Sequence, residues 1–88
     1  MCGGAELRTV SLVIKGRVQG VGFRAWTRSK AEALGLTGWV KNIPSGDVEA
    51  EYQGDEGALS ELIEALHYGP DAARVSEVKV TYLTDDRA

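Results

Sequence analysis

The spacing of apolar residues switches repeatedly between two and three-to-four positions within only 88 residues. That switching fixes the order in which strands and helices can succeed one another. From Leu7 to Lys15, Val10, Leu12 and Ile14 recur at every second position, a strand with Val13 on its other face. From Phe23 to Leu34, Phe23, Thr27, Ala31 and Leu34 follow helical spacing, Trp26 and Ala33 widen the stripe, and Gly35 is a stop. Leu36 to Ile43 reads as a second strand, in which Leu36, Gly38 and Val40 alternate against Thr37, Trp39 and Lys41. Pro44-Ser45-Gly46 is turn chemistry. Val48, Ala50 and Tyr52 then alternate with Glu49 and Glu51, a strand with one wetted face. Leu59, Leu62, Ile63 and Leu66 mark a second helix, opened by Asp55-Glu56 and ended by Gly69-Pro70. Val78, Val80 and Tyr82 make the last strand.

The resulting order, β-α-β-β-α-β, predicts an α+β chain of the ferredoxin-like kind, with two helices on one face of a four-stranded antiparallel sheet. In that topology the first two strands flank the third and run parallel to each other. Their C-terminal ends lie at the same end of the sheet. Asn42, at the end of the second strand, is therefore expected beside the segment that leaves the first. The length suits a single domain, expected over residues 7–84, with tails at 1–6 and 85–88. A chain this short buries only a thin core. Cys2 is the sole cysteine, so no internal disulfide can form. No apolar run approaches the roughly 20 residues of a membrane span. The first residues lack a basic stretch followed by an apolar one, so a cytoplasmic, membrane-free protein is expected.

The first strand leads into Gly16-Arg-Val-Gln-Gly-Val-Gly-Phe-Arg24, a run with glycines at 16, 20 and 22, two arginines and no acid. Glycines allow successive N–H groups to turn inward as a nest. A helix start adds unpaired N–H groups and partial positive charge. Arg24 supplies a planar fork matched to phosphate oxygens. With Arg17 and Gln19 beside it, the run reads as a phosphate cradle. Charge is distributed accordingly. Although the net charge is −3, Arg8, Lys15, Arg17, Arg24, Arg28, Lys30 and Lys41 face only Glu32 in that stretch, and acids dominate from Ser45 onward.

Several chemistries are excluded. Gly20 to Ala25 fits G-x-G-x-x-A, but the chain lacks room for a doubly wound sheet and has no acid near position 42 to hold a ribose. No Gly-Lys-Ser/Thr is present after the glycines, so the run is not a Walker loop. No cluster has metal-ligand spacing, so neither metal nor cofactor is expected. The serines have no base beside them, and His67, the only histidine, reads as a helix-end residue. Trp26 and Trp39 read as core or partly buried residues. The acidic third strand and the net charge speak against a nucleic-acid partner. Cradle, guanidinium and amide, without a strong base, suit phosphoryl transfer from a substrate with a good leaving group. An acyl phosphate is such a substrate, because its leaving group is a carboxylate.

Gly16 to Arg24 and Gly38-Trp-Val-Lys-Asn42 closely resemble the two signatures of the acylphosphatases. The similarity continues through Leu34-Gly-Leu, Gly46-Asp-Val-Glu49, the second helix, Gly69-Pro70 and the last strand, from Leu7 to Leu83. The resemblance implies a small metal-free hydrolase that converts an acyl phosphate, its small-molecule partner, into carboxylate and phosphate, and a monomer is expected. By the same resemblance Arg24 and Asn42 are the catalytic residues. Gln19, Gly20, Val21, Gly22 and Phe23, with Arg24, form the phosphate-binding loop. Ser45 stands where an acid is common in the family, a departure that touches the turn rather than the chemistry. The alternative reading is a non-catalytic phosphate-binding or regulatory module of the same fold.

Overall fold

In this computed structural model, residues 7–20, 22–71 and 73–83 are described. The elements run β1 (Leu7–Arg17), α1 (Phe23–Ala33), β2 (Thr37–Asn42), β3 (Val48–Asp55), α2 (Glu56–Tyr68) and β4 (Arg74–Leu83). One four-stranded sheet has the order β2-β3-β1-β4, and every pairing is antiparallel. The expected ferredoxin-like order is therefore found. The expected tails, residues 1–6 and 85–88, lie outside the described residues, as do Val21 and Thr84.

Alternation puts Val10, Leu12 and Ile14 of β1 and Val48, Ala50 and Tyr52 of β3 on the face that meets the helices. Phe23 and Ala31 from α1, and Leu59, Leu62 and Leu66 from α2, close the core from above. Burying each large aliphatic side chain typically stabilises by about 1.5–3 kcal/mol. The outer strands contribute less. In β2 only Val40 is buried. In β4 Val78 is half-buried, whereas Val80 and Tyr82, which pair with Leu12 and Val10 and so share their face, are 36% and 38% exposed. Period two fixes the face a side chain occupies, but at a sheet edge no helix lies fully over that face.

Three strands differ in extent from the side-chain pattern because backbone geometry overrides it. β1 continues two residues past Lys15, through a bulge between Lys15 and Gly16 against β4. β3 runs on to Asp55, which is also the cap of α2. β2 begins one residue after Leu36 and ends at Asn42. Trp39 is 43% exposed on the sheet, with the Lys41 ammonium 5.3 Å above its ring. Trp26 is half-buried against Phe23, with ring centroids 5.5 Å apart.

Candidate active site

The turn from β1 into α1 depends on its glycines. Gly16, Gly20 and Gly22 take φ of 127°, 77° and 76°, all in territory that side chains with a Cβ disfavour. A Cβ at Gly16 would also overlap the Arg74 carbonyl oxygen, so close approach of β4 requires its absence. Gly22 is the N-cap of α1 and has no side chain to satisfy the helix end. The first helical bond runs from the Trp26 N–H to the Gly22 carbonyl at 3.0 Å. The N–H groups of Phe23, Arg24 and Ala25 therefore precede any intrahelical acceptor. No acid lies in the first turn, and no side-chain cap forms. The start of α1 is an open, positively polarised donor cluster.

Those donors border a cleft of about 160 Å³ lined by Val18, Gly20, Gly22, Phe23, Arg24, Ala25 and Asn42. A water occupies about 30 Å³ of liquid, so the cleft has room for several water-sized groups. Phe23 is 1% exposed and anchors the helix start in the core, while Arg24 next to it is exposed. Asn42, also exposed, enters from β2 on the far side of β3. The structure thus brings Arg24 and Asn42 to one cleft with Gly20, Gly22 and Phe23. Val21 lies outside the described residues.

Gln19 does something its sequence position did not suggest. Its carboxamide Nε2 donates to the carbonyl oxygens of Ile43 and Asp47, both at 2.9 Å. Only its backbone N–H remains to serve the cleft. Ile43 and Asp47 bracket the β2–β3 turn, which closes through Ile43 N–H to the Asp47 carbonyl and Gly46 N–H to the Ile43 carbonyl, each 3.0 Å. Lys15 reinforces the tie, its ammonium 3.1 Å from the Asp47 carboxylate, which also accepts from the Ser45 hydroxyl at 3.2 Å. Ser45 thus serves the turn, as its departure from the family pattern implied. The glycine loop and the hairpin that carries Asn42 are fastened together by Gln19 and Lys15. Neither tie had a signal in periodicity or spacing, because each joins residues more than 20 apart, separated by 24 to 32 positions.

His67 is exposed near the end of α2, its Nδ1 2.9 Å from the Ile63 carbonyl oxygen, and it does not line the cleft. Among the described residues no helix is long and apolar enough to cross a membrane.

A family model described as Acylphosphatase matches residues 10–88. The chain belongs to the acylphosphatase family. An acylphosphatase from Rubrobacter xylanophilus is 49% identical over 75 residues, covering 85% of this chain and 68% of that one. The solved acylphosphatase of Coxiella burnetii superposes with a TM-score of 0.86 at 40% identity, covering 93% of this chain and 86% of its own. The fold also recurs inside a longer protein: full-length HypF, solved in a phosphate- and nucleotide-bound form, matches with a TM-score of 0.86 at 27% identity. That match covers 97% of this chain and 11% of HypF. The acylphosphatase relatives support an enzyme assignment, and the cleft at the start of α1 is the concavity that carries both signature segments.

Proposed function

We propose that this protein hydrolyses an acyl phosphate to carboxylate and inorganic phosphate by direct attack of one water on phosphorus, without a metal. The observation that carries the reading is the meeting of an uncapped helix start, Arg24 and Asn42 in a single cleft. Loop N–H groups from Gln19 to Arg24, with the Arg24 guanidinium, hold the phosphoryl oxygens. Such preorganised donors typically contribute about 3 kcal/mol each to a transition state. Asn42 accepts from the attacking water through its side-chain oxygen, or donates to a phosphoryl oxygen through its nitrogen. It orients the water without acting as a base.

The water oxygen forms the new P–O bond as the bond to the acyl oxygen breaks. The carboxylate departs with the bonding pair and needs little protonation. The water's proton passes to a phosphoryl oxygen, giving dihydrogen or monohydrogen phosphate according to pH. A loose transition state asks for positioning and charge stabilisation rather than a strong base.

Steady turnover of benzoyl phosphate by pure protein, undiminished by a chelator, is the expected result. Hydrolysis no faster than background would sink the enzymatic reading and leave the phosphate-binding module. That second reading draws support from the match to a segment of HypF. It predicts saturable binding of inorganic phosphate with no turnover.

A further inference from the structure

The half-buried Gln19 carboxamide has spent its donors. Its Nε2 carries two hydrogens, and one goes to each of the Ile43 and Asp47 carbonyl oxygens. Both partners only accept, which settles the orientation of the amide. Each carbonyl also accepts within the turn, Ile43 from the Gly46 N–H and Asp47 from the Ile43 N–H. What remains on the Gln19 side chain is Oε1, an acceptor, which a phosphoryl oxygen repels. The side chain therefore has no donor to offer a phosphate, although its backbone belongs to the glycine loop.

The clasp sits where the two walls of the cleft come closest along the chain. Gly20 and Asn42 both line the cleft. Gln19 is the residue before Gly20, and Ile43 is the residue after Asn42. Consecutive Cα atoms are about 3.8 Å apart, so the bond from Gln19 to Ile43 joins the walls one residue away from each. The sheet does not make this connection directly. β3 lies between β1 and β2, and β2 ends at Asn42. The Lys15–Asp47 pair reaches the far side of the turn and leaves Ile43 untouched.

We propose that the Gln19 side chain is a positioning group for the hydrolysis: its carboxamide sets Asn42, and with it the attacking water, against the loop that holds the phosphoryl group. This role rests on the acyl phosphate reading of the cleft and adds to it a side chain that works without touching the substrate. Only glutamine among residues of its shape supplies two donors on one atom. Glutamate when ionised has none, and methionine has none at any pH.

The test is a double-mutant cycle on benzoyl phosphate hydrolysis. A misplacement of about 1 Å at a reacting pair can cost about 10²-fold in rate. Gln19→Met should lower kcat by about 10- to 10²-fold and leave inhibition by inorganic phosphate nearly unchanged, because the loop N–H groups and Arg24 remain. In an Asn42→Ala background the same substitution should cost no more than about twofold in kcat, since the group it positions is already gone. Gln19→Glu should be slow near neutrality and recover relative to Gln19→Met as pH falls, because a protonated acid regains one donor. A wild-type kcat in Gln19→Met overturns the inference, as does an equal loss with and without the Asn42 amide, which marks a merely structural role. If Gln19→Met does not fold, Gln19→Asn, one methylene too short to reach both carbonyls, is read in the same two backgrounds by the same criteria. No turnover by the wild type defeats the hydrolytic reading and this role together, whereas wild-type turnover with unaffected variants defeats this role alone.

Discussion

The two helices of this small fold begin in opposite ways. Asp55, with φ −62° and ψ 138°, caps α2, and its carboxylate accepts from the N–H groups of Gly57 and Ala58 at 3.0 and 3.3 Å. Glu56 adds a further negative charge to that first turn. At the start of α1, left-handed Gly22 stands where the cap would be, and no side-chain cap or acid is present. One helix end is completed by its own sequence, and the other has no side-chain cap, which suits the anion proposed to bind there. The difference shows that the α1 start is not a defect of a short chain, because the same chain caps α2 by ordinary means. Local stability has been left out at the end where a ligand can supply it.

Removing the charged partner of the open end should have the largest effect. Arg24→Ala is expected to lower kcat/KM on benzoyl phosphate by on the order of 10³-fold or more and to abolish inhibition by inorganic phosphate. Asn42→Ala should lower kcat by about 10²–10³-fold while leaving the phosphate inhibition constant nearly unchanged, since it removes water positioning rather than anchoring. Equal loss of phosphate affinity in both variants would contradict that division of roles.

If the open end is completed by ligand, inorganic phosphate should act as its missing cap. At about 100 times its dissociation constant, phosphate is expected to stabilise the wild type by about 2.7 kcal/mol in thermal or denaturant unfolding. The gain should disappear in Arg24→Ala, and an identical gain in that variant would place the phosphate elsewhere. The converse change tests the closed end. Asp55→Ala should cost about 1 kcal/mol of folding stability with kcat unaltered. A fall in kcat larger than tenfold would show that α2 is coupled to the cleft.

The smallest effect concerns pH. Burial pushes the Tyr52 phenol above its ordinary value of 10.0, while nearby Arg28 draws it back and Glu32 pushes it up. The unfolded chain therefore loses this proton first as pH rises. The stability held by the neutral, buried phenol is complete below about pH 10 and declines above it. Tyr52→Phe should flatten that alkaline decline in equilibrium unfolding and leave activity near neutrality unchanged. An unaltered slope would assign the alkaline loss to other groups.

Gln19 bears on both ends of this comparison. From its place in a glycine-rich run it reads as a phosphate ligand, yet its carboxamide clasps Ile43 and Asp47. Arg24 and Asn42 were legible because residue type, a strand end and the parallel course of β1 and β2 place them together on topological grounds alone. The clasp was not legible, because a side-chain amide suits a phosphate, a carbonyl or water equally well. Only the loop's approach to the hairpin decides which acceptor it meets. Val80 and Tyr82 teach the same point at the sheet edge, where spacing gives the face and coverage is a matter of how far a helix reaches.

By itself the sequence determined the element order, the sheet topology, the left-handed turn at three glycines and the gathering of cradle, arginine and amide at one end of the sheet. These depend on local periodicity and on φ values that few residues adopt, both written residue by residue. The tertiary structure decided which donors stay free. It commits Gln19 and Lys15 to the hairpin, closes α2 with Asp55, and leaves α1 open. Those outcomes are competitions among polar groups far apart in the chain. Their result depends on distances of a few ångströms, which exist only once the strands have come together.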